Sequence, residues 1–221
     1  MSLRSLLPPA VASMGGAVAL VILSGLTAAA QLGTRPAESW IPTLESPERV
    51  ASMKVPELIA ALEIRPGMVV ADVGTGSGLL TGPLAKATGP AGVVYASDID
   101  EGLLDHVTRR ARTDGLENVR TVLGTFTDPR LPDAVDLAFM NDVLHHVADR
   151  EPYVAQLARY LKPGGRLAIV EYTTAGSPHR TEPDLIVTEA QVDEWARAAG
   201  LTVLRRVPLY DDRYFVIYRK S

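Results

Sequence analysis

The sequence predicts an α/β fold, a doubly wound and mostly parallel seven-stranded sheet covered by helices on both faces. Three observations carry this prediction. Apolar runs of strand length alternate with helical stretches from residue 46 onward, as in a parallel sheet. The first apolar run, residues 68–73, leads directly into three glycines at alternate positions, Gly74, Gly76 and Gly78. The last two strands are joined by too few residues for a parallel crossover, so an antiparallel last strand is expected.

The strands and helices follow in order along the chain. Ser46 and Pro47 have the pattern of an N-cap followed by proline in the first helical turn. Gly115 and Gly200 each follow a helical stretch, and Thr188 is a plausible N-cap. The predicted helices cover residues 46–64 (or restart near 56), 79–87, 101–114, 153–161 and 188–199. The predicted strands are 68–73, 92–97, 119–123, 134–140, 166–171, 202–207 and 214–218.

The composition is that of a globular protein. The chain has 221 residues, of which 47% are hydrophobic and 22% charged, enough for one domain and a short extra segment. The net charge of −4 and the lack of a long basic run argue against nucleic-acid binding. The absence of cysteine excludes disulfides, thiolate nucleophiles and cysteine–zinc sites.

The first 30 residues predict a targeting segment. Arg4 is the only charge before Arg35, residues 10–23 are mostly apolar, and Ala28 and Ala30 have the spacing of a cleavage site. A cleaved secretory signal peptide and an uncleaved membrane anchor both fit this pattern, and a misassigned start codon is a third alternative. The protein is therefore expected to be exported, periplasmic or secreted, or anchored in a membrane, with an anchored domain facing the cytoplasm as the alternative.

The same segment sets the expected domain boundaries. Residues 1–30 form the signal peptide or anchor, and the charge-free stretch 5–34 is long enough for membrane association. Residues 31–45 contain Gly33, Pro36 and Pro42 and are interpreted as a linker. The folded domain is expected to cover residues 46–221.

The glycine-rich turn and Asp98 predict a ligand that contains a ribose. Backbone N–H groups at a tight strand-to-helix turn can grip a charged ligand closely. Asp98 ends the second strand, where an acceptor-only carboxylate can bind both ribose hydroxyls. The alternatives are a purely structural turn and an N-cap role for Asp98, although Asp100 is the better N-cap.

Three elements together resemble class I S-adenosylmethionine-dependent methyltransferases. They are the stretch 72–78 (Asp-Val-Gly-Thr-Gly-Ser-Gly), the acid at Asp98, and the stretch 161–166 (Leu-Lys-Pro-Gly-Gly-Arg) before the fifth strand. The resemblance covers residues 46–221 and implies a Rossmann-like fold with an antiparallel last strand. More narrowly, the chain is distantly similar to the ubiquinone/menaquinone-biosynthesis group. In that comparison His179 and Arg180 are displaced upstream of the position where a His-Lys pair is expected.

The resemblance implies S-adenosyl-L-methionine as the cofactor and a set of residues around it. Gly74 to Gly78 would lie under the methionine portion, Asp98 would hold the ribose, and Ile99 would pack against adenine. Asn141 and Asp142 would face the methyl donor and the acceptor. The implied cofactor-binding residues are Asp72, Gly74, Thr75, Gly76, Gly78, Asp98, Ile99, Gly124, Thr125 and Asn141.

The candidate catalytic residues are His145, His146 and Glu171. A histidine near the acceptor can remove a proton near neutral pH, and Glu171 ends the fifth strand at the ligand edge. Adjacent residues on a helix point about 100° apart, so only one of the two histidines is expected to face the site easily. No metal site is predicted, because no further cluster of ligands accompanies the histidine pair.

The sequence thus predicts methyl transfer to a small or lipid-like acceptor. A nicotinamide-dependent oxidoreductase is disfavoured by the spacing of the glycines, since dinucleotide binders have G-x-G-x-x-G. A degenerate domain that binds the cofactor without turnover is the non-enzymatic alternative.

Overall fold

The structure, a computed structural model, describes residues 37–221, with side chains from Ser39 onward. The predicted signal peptide or anchor, residues 1–30, lies outside the described residues. The strands are β1 (Val69–Val73), β2 (Val93–Asp98), β3 (Val119–Leu123), β4 (Val135–Asn141), β5 (Leu161–Tyr172), β6 (Leu201–Arg206) and β7 (Arg213–Lys220). The helices are α1 (Ala37–Leu44), α2 (Pro47–Ser52), α3 (Val55–Leu62), α4 (Thr81–Thr88), α5 (Glu101–Thr113), α6 (Arg150–Tyr160) and α7 (Glu189–Ala198). Two 3₁₀ turns cover Leu144–His146 and Pro183–Leu185.

The strands form one seven-stranded sheet in the order β3-β2-β1-β4-β5-β7-β6. β1 pairs in parallel with β2 and β4, while β7 runs antiparallel to both β5 and β6. The prediction of a mostly parallel sheet with an antiparallel last strand is therefore confirmed. The strand order reverses between β1 and β4, and ligands of such sheets bind at the carboxyl ends of the strands at this point.

The central strands are buried on both faces, because helices cover each side of the sheet. On one face Ala71, Met140 and Ile169 join a core with α6 and α7. On the other face Phe139 and Val170 join a core with α3 and α4. Near-continuous apolar strands are expected for a doubly covered sheet. This rigid sheet carries the turns that build the site.

The N-terminal part of the described chain differs from the expected linker, because residues 37–44, part of that linker, form α1. The helix predicted from residue 46 restarts, as one of the two expectations had it: α2 ends at Ser52 and α3 begins at Val55. The division lies at Lys54, whose φ is +46°. Glu45, directly after α1, is held against α5 by Arg110, with Nη1 2.6 Å from Oε1. This contact between distant segments has no signature in the local pattern of residues 31–45.

The turn predicted at residues 162–165 lies inside the span of β5. Val135 is paired with Leu161 and Leu137 with Arg166, so four residues loop out of the ladder between these pairs. Gly164 in this loop has a φ of +73°, which favours glycine. The helix α7 begins as predicted: Thr188 and Gln191 form a reciprocal capping box.

Candidate active site

A cavity of about 480 Å³ opens at the carboxyl ends of β1, β2 and β4. Its floor is the glycine turn after β1, and its sides come from the segments after β2, β3 and β4. The helices α1 and α2 and the segment after β5 close the rest of its wall. The cavity therefore lies at the strand-order reversal, where the topology predicts a ligand.

The glycine turn has a backbone that other residues adopt only with strain. Gly74, Gly76 and Gly78 have φ values of +72°, +55° and +75°. A Cβ on Gly74 would lie 2.5 Å from Cγ2 of Val143, and a Cβ on Gly78 would lie 2.9 Å from Cγ2 of Val107. Gly74 and Gly76 line the cavity, whereas Gly78 packs against α5 outside it. Gly78 therefore shapes the turn and does not face the proposed ligand.

Asp72, near the end of β1, is hydrogen-bonded to residues within and after the glycine turn. Its Oδ2 accepts hydrogen bonds from the hydroxyls of Thr75, at 3.0 Å, and Thr81, at 2.6 Å. Burial raises the pKa of Asp72 to about 6, although both hydroxyl hydrogen bonds oppose this shift. Asp72 and Thr75 both line the cavity, so the structure places these two predicted residues at the floor of the site.

Asp98 ties the end of β2 to the glycine turn. Its Oδ2 accepts the backbone N–H of Gly76 at 2.9 Å, and its Oδ1 accepts those of Ile99 and Asp100 at 2.8 and 3.1 Å. Burial raises the pKa of Asp98, against the effect of these backbone hydrogen bonds. Asp98 and Ile99 line the cavity, while Asp100 caps α5 by accepting the N–H groups of Gly102 and Leu103. Asp100 is thus the N-cap, as the sequence predicts, and Asp98 remains at the cavity wall.

Gly124 and Thr125 lie beside Asp98 at the cavity wall. The N–H of Gly124 donates to the carbonyl oxygen of Asp98 at 2.9 Å. A Cβ at Gly124 would lie 3.0 Å from Oγ of Ser97, so a side chain would crowd the end of β2. The segment after β3 is thereby fastened to the same edge of the sheet as the glycine turn.

Asn141 and Asp142 present side-chain oxygens that lack hydrogen-bond partners among the described residues. Oδ1 of Asn141 and both carboxylate oxygens of Asp142 are buried and accept no hydrogen bond within residues 37–221. Asp142 has a φ of +56°, and Nη2 of Arg49 and Nη1 of Arg213 lie 3.4 and 3.9 Å from its Oδ2. Burial raises the pKa of Asp142 to about 6, and these two guanidinium groups oppose the shift. Buried oxygens without partners are costly, so this corner is suited to a ligand that donates hydrogen bonds.

Both histidines after β4 line the cavity, contrary to the expectation that only one would face it easily. Leu144–His146 is a single 3₁₀ turn, and the ring centroids of His145 and His146 are 4.0 Å apart. His145 Nδ1 lies 2.8 Å from Oε1 of Glu171, which is buried behind the imidazole and does not line the cavity. Glu171 therefore acts on the cavity only through His145.

His146 differs from His145 in its surroundings. Burial is the main cause that lowers the pKa of His146 to about 3, and the nearby imidazoles of His145 and His179 and the guanidinium of Arg150 add to it. A group with such a pKa is a poor proton acceptor near neutral pH. The geometry therefore separates two residues that the sequence leaves equivalent.

Several lining residues lie outside the predicted set. Trp40, Arg49 and Met53 reach the cavity from the N-terminal helices, and Tyr172 and His179 reach it from the end of β5 and the segment after it. Of these five residues, only His179 is singled out by the sequence, as part of the displaced His179–Arg180 pair. Residues 37–221 contain no cluster of three histidine or acidic side chains arranged to hold a metal, and none of their helices is long and apolar enough to cross a bilayer.

Comparison with known proteins identifies a methyltransferase domain within the chain. Residues 71–169 match the methyltransferase domain family. The chain is 33% identical over 136 residues to a ubiquinone/menaquinone biosynthesis C-methyltransferase from Burkholderia vietnamiensis, covering 58% of this chain and 52% of that protein. It thus spans about half the length of this curated relative.

Solved structures agree with the sheet topology. A crystal structure of an S-adenosylmethionine-dependent methyltransferase from Aquifex aeolicus superposes with a TM-score of 0.75 at 28% identity, over 83% of this chain and 98% of that one. Magnesium protoporphyrin IX methyltransferase from Synechocystis shares the fold, with a TM-score of 0.61 at 20% identity over 78% and 84% of the two chains. The matched domain, the curated relative and the fold together support a class I S-adenosylmethionine-dependent methyltransferase that is distantly similar to the ubiquinone/menaquinone-biosynthesis group.

Proposed function

We propose that this protein transfers a methyl group from S-adenosylmethionine to a small or lipophilic acceptor whose reacting atom carries a proton. The observation that supports the proposal is one cavity lined by the glycine turn, Asp98 and His145, with Glu171 paired to His145 behind the cavity wall. The first two features suit a nucleoside, and the third suits removal of a proton.

The residues present fit the cofactor. Because Gly74 and Gly76 have no side chains, the cofactor could approach their backbone closely. Asp98 would accept hydrogen bonds from the ribose hydroxyls, beside Ile99. The buried oxygens of Asn141 and Asp142, which accept no hydrogen bond from residues 37–221, would receive the ammonium group of the methionine portion.

The chemistry requires little from the protein beyond alignment and proton removal. When bound, S-adenosylmethionine supplies an electrophilic methyl group, which the acceptor atom gains as the sulfur–methyl bond breaks to leave a neutral thioether. Holding two reactants in position can contribute about 7–11 kcal/mol in favourable intramolecular systems. His145 would take the proton that the acceptor atom loses.

Glu171 prepares His145 for this role. Its carboxylate accepts the backbone N–H groups of His145, at 3.3 Å, and of Tyr172, at 3.0 Å, besides facing Nδ1 of the imidazole. With the carboxylate as acceptor, the imidazole proton lies on Nδ1 and the lone pair on Nε2. His145 can then accept a proton through Nε2 while Glu171 balances the charge that it gains.

The acceptor is proposed to be small or lipophilic because the wall is largely apolar. Trp40, Met53, Phe126 and Leu185 line the cavity, and Phe126 is 44% exposed at its rim. The names of two similar proteins, a ubiquinone/menaquinone biosynthesis C-methyltransferase and magnesium protoporphyrin IX methyltransferase, also support an acceptor of this kind. We propose no nucleic-acid partner, in line with the net charge of −4.

Calorimetric titration of the full chain tests the cofactor assignment. S-adenosylmethionine and S-adenosylhomocysteine should bind without added metal, and NAD should not. Binding of NAD alone would contradict the proposal. Transfer of a labelled methyl group to compounds from a cell extract then separates an enzyme from a degenerate binding domain, which would bind the cofactor and transfer nothing.

We also propose that the protein is exported or membrane-anchored through residues 1–30. The support is the apolar stretch after Arg4 and the small-residue spacing at Ala28 and Ala30. Sequencing of the mature N-terminus distinguishes a cleaved signal peptide from an anchor. An intact N-terminus in the soluble cytoplasmic fraction would contradict both forms of the proposal.

A further inference from the structure

Three of the four histidines of the chain meet at the cavity. Besides the 4.0 Å between the rings of His145 and His146, the ring centroid of His179 lies 5.4 Å from that of His145 and 6.2 Å from that of His146. All three line the cavity. His179 comes from a different part of the chain, the segment 173–188 between β5 and α7. Its position therefore depends on how this segment is held.

The segment is fastened to the site from several sides. The N–H of His179 donates to Oγ of Ser177 at 3.0 Å, and Ser177 is buried. Nη2 of Arg150 donates both to the carbonyl oxygen of His145, at 3.0 Å, and to that of Asp184. Arg150 thus joins the turn that carries His145 to the segment that carries His179.

His179 repeats the arrangement of His145. Its Nδ1 lies 3.0 Å from Oε1 of Glu182, as Nδ1 of His145 lies 2.8 Å from Glu171. A carboxylate on Nδ1 fixes the tautomer of an imidazole and leaves Nε2 as its remaining hydrogen-bonding atom. The side chain of His179 is 30% exposed and that of His145 only 7%, so the second pair lies nearer the entrance.

We propose that His179 is an acceptor-binding residue, and that the acceptor carries a second oxygen next to its reacting oxygen. This inference rests on the proposed function, in which His145 takes the proton of the reacting group. The 5.4 Å between the two rings lets each imidazole contact one of two oxygens on neighbouring carbons. His179 therefore selects acceptors with neighbouring oxygens, and Glu182 positions His179.

Phenol and catechol are matched probes for this site, because they differ by one neighbouring hydroxyl group. Each is titrated into the full chain, with and without saturating S-adenosylhomocysteine, and the ring nitrogens of histidine are followed by ¹⁵N NMR. Catechol should bind the wild-type protein about tenfold more tightly than phenol, as one hydrogen bond to an imidazole predicts. The signals of His145 and His179 should both shift with catechol.

Variants separate binding from a structural role. His179→Phe should remove the preference for catechol while leaving phenol and S-adenosylhomocysteine binding unchanged, and Glu182→Gln should reduce the preference only in part. His106→Gln is the matched control, since His106 lies on α5 beside Glu45 and outside the cavity wall. If His179→Phe fails to fold, His179→Gln replaces it, and should retain only part of the preference.

Three outcomes would overturn the assignment of His179. They are equal binding of the two probes by the wild-type protein, a catechol preference that survives in His179→Phe, and binding of neither probe. Absence of S-adenosylhomocysteine binding would instead contradict the proposed function. The probe titrations without that ligand still test His179, so the two failures are distinguishable.

Discussion

His145 and Glu171 form a buried pair in which Nδ1 of the imidazole lies 2.8 Å from Oε1 of the carboxylate. The pairing of β4 with β5 brings them together, because Asn141 near the histidine turn is in register with Val170 beside Glu171. Their separation of 26 residues makes this relationship tertiary. It distinguishes His145 from its neighbour His146, and the first prediction follows from it.

His145→Gln should slow methyl transfer, in a single turnover, by about 10²–10⁴-fold, the usual contribution of a general base. His146→Gln should slow it by only a few fold, because a pKa of about 3 makes His146 a poor base. Binding of S-adenosylmethionine should change little in either variant. The measurement uses the acceptor that the labelling experiment identifies, over pH 5–9.

The comparison of the two variants decides the role of the pair. Glu171→Gln should lower the rate and change its pH profile with cofactor affinity unchanged. A larger effect of His146→Gln than of His145→Gln would contradict the assignment of His145 as the base. Equal rates for both variants and wild type at all pH values would leave alignment as the main mechanism.

Asp98→Ala should weaken binding of S-adenosylmethionine by about 1–3 kcal/mol through loss of charge-assisted hydrogen bonds. Part of this loss comes from the turn itself, because Asp98 also accepts the N–H of Gly76. Calorimetry measures the dissociation constant, and Asp105→Ala, an exposed acid on α5, is the control. An unchanged constant in Asp98→Ala would exclude the ribose-binding role.

Gly76→Val should abolish cofactor binding. A residue with a side chain at a φ of +55° is strained, and its Cβ would lie 3.3 Å from Cδ1 of Leu44, which lines the cavity. Gly115→Ala is the matched control, because Gly115 has a φ of +65° but no heavy atom within 4 Å of an added Cβ. Gly115→Ala should lower the free energy of unfolding by about 1 kcal/mol and leave binding intact. Cofactor binding by folded Gly76→Val at wild-type affinity would contradict the prediction.

Asp142 should make the free energy of unfolding depend on pH in the opposite direction to an acid whose pKa is lowered in the folded protein. Its pKa is raised from 3.8 to about 6, so the folded state binds the proton more tightly than the unfolded state. The resulting stabilisation is fully present below about pH 4 and is lost as the pH rises through 6. At pH 8 the difference amounts to up to about 3 kcal/mol, since one pKa unit corresponds to about 1.4 kcal/mol.

Urea denaturation of wild type and Asp142→Asn between pH 4 and 8 measures this effect. The free energy of unfolding of Asp142→Asn relative to wild type should rise with pH over the interval 4–7. A difference that is constant with pH would show that Asp142 has an ordinary pKa in the folded protein. Arg49 and Arg213 form ion pairs only with the ionised carboxylate, so their effect is already contained in the pKa of about 6.

Much of the fold was predictable because its signals are local. The strand predicted at residues 119–123 has the bounds of β3, and the predicted caps Asp100 and Thr188 accept the N–H groups of the helices that they begin. The antiparallel direction of the last strand was predictable because the connection between the last two strands is too short for a parallel crossover. The helix α1 was missed, because Pro42 within it indicates a linker and its support comes from α5.

The sequence by itself determined the glycine turn, Asp98 and the strand-end positions of Asn141, His145 and Glu171, since each depends on residues close in the chain. Only the tertiary structure decided which of these residues line the same cavity. It turned Gly78 toward α5, placed Glu171 behind His145, and brought Arg49 and His179 to the cavity from either side. The physical reason is that backbone conformation follows from neighbouring residues, whereas contacts between side chains depend on strand register and helix packing, which only the folded chain as a whole specifies.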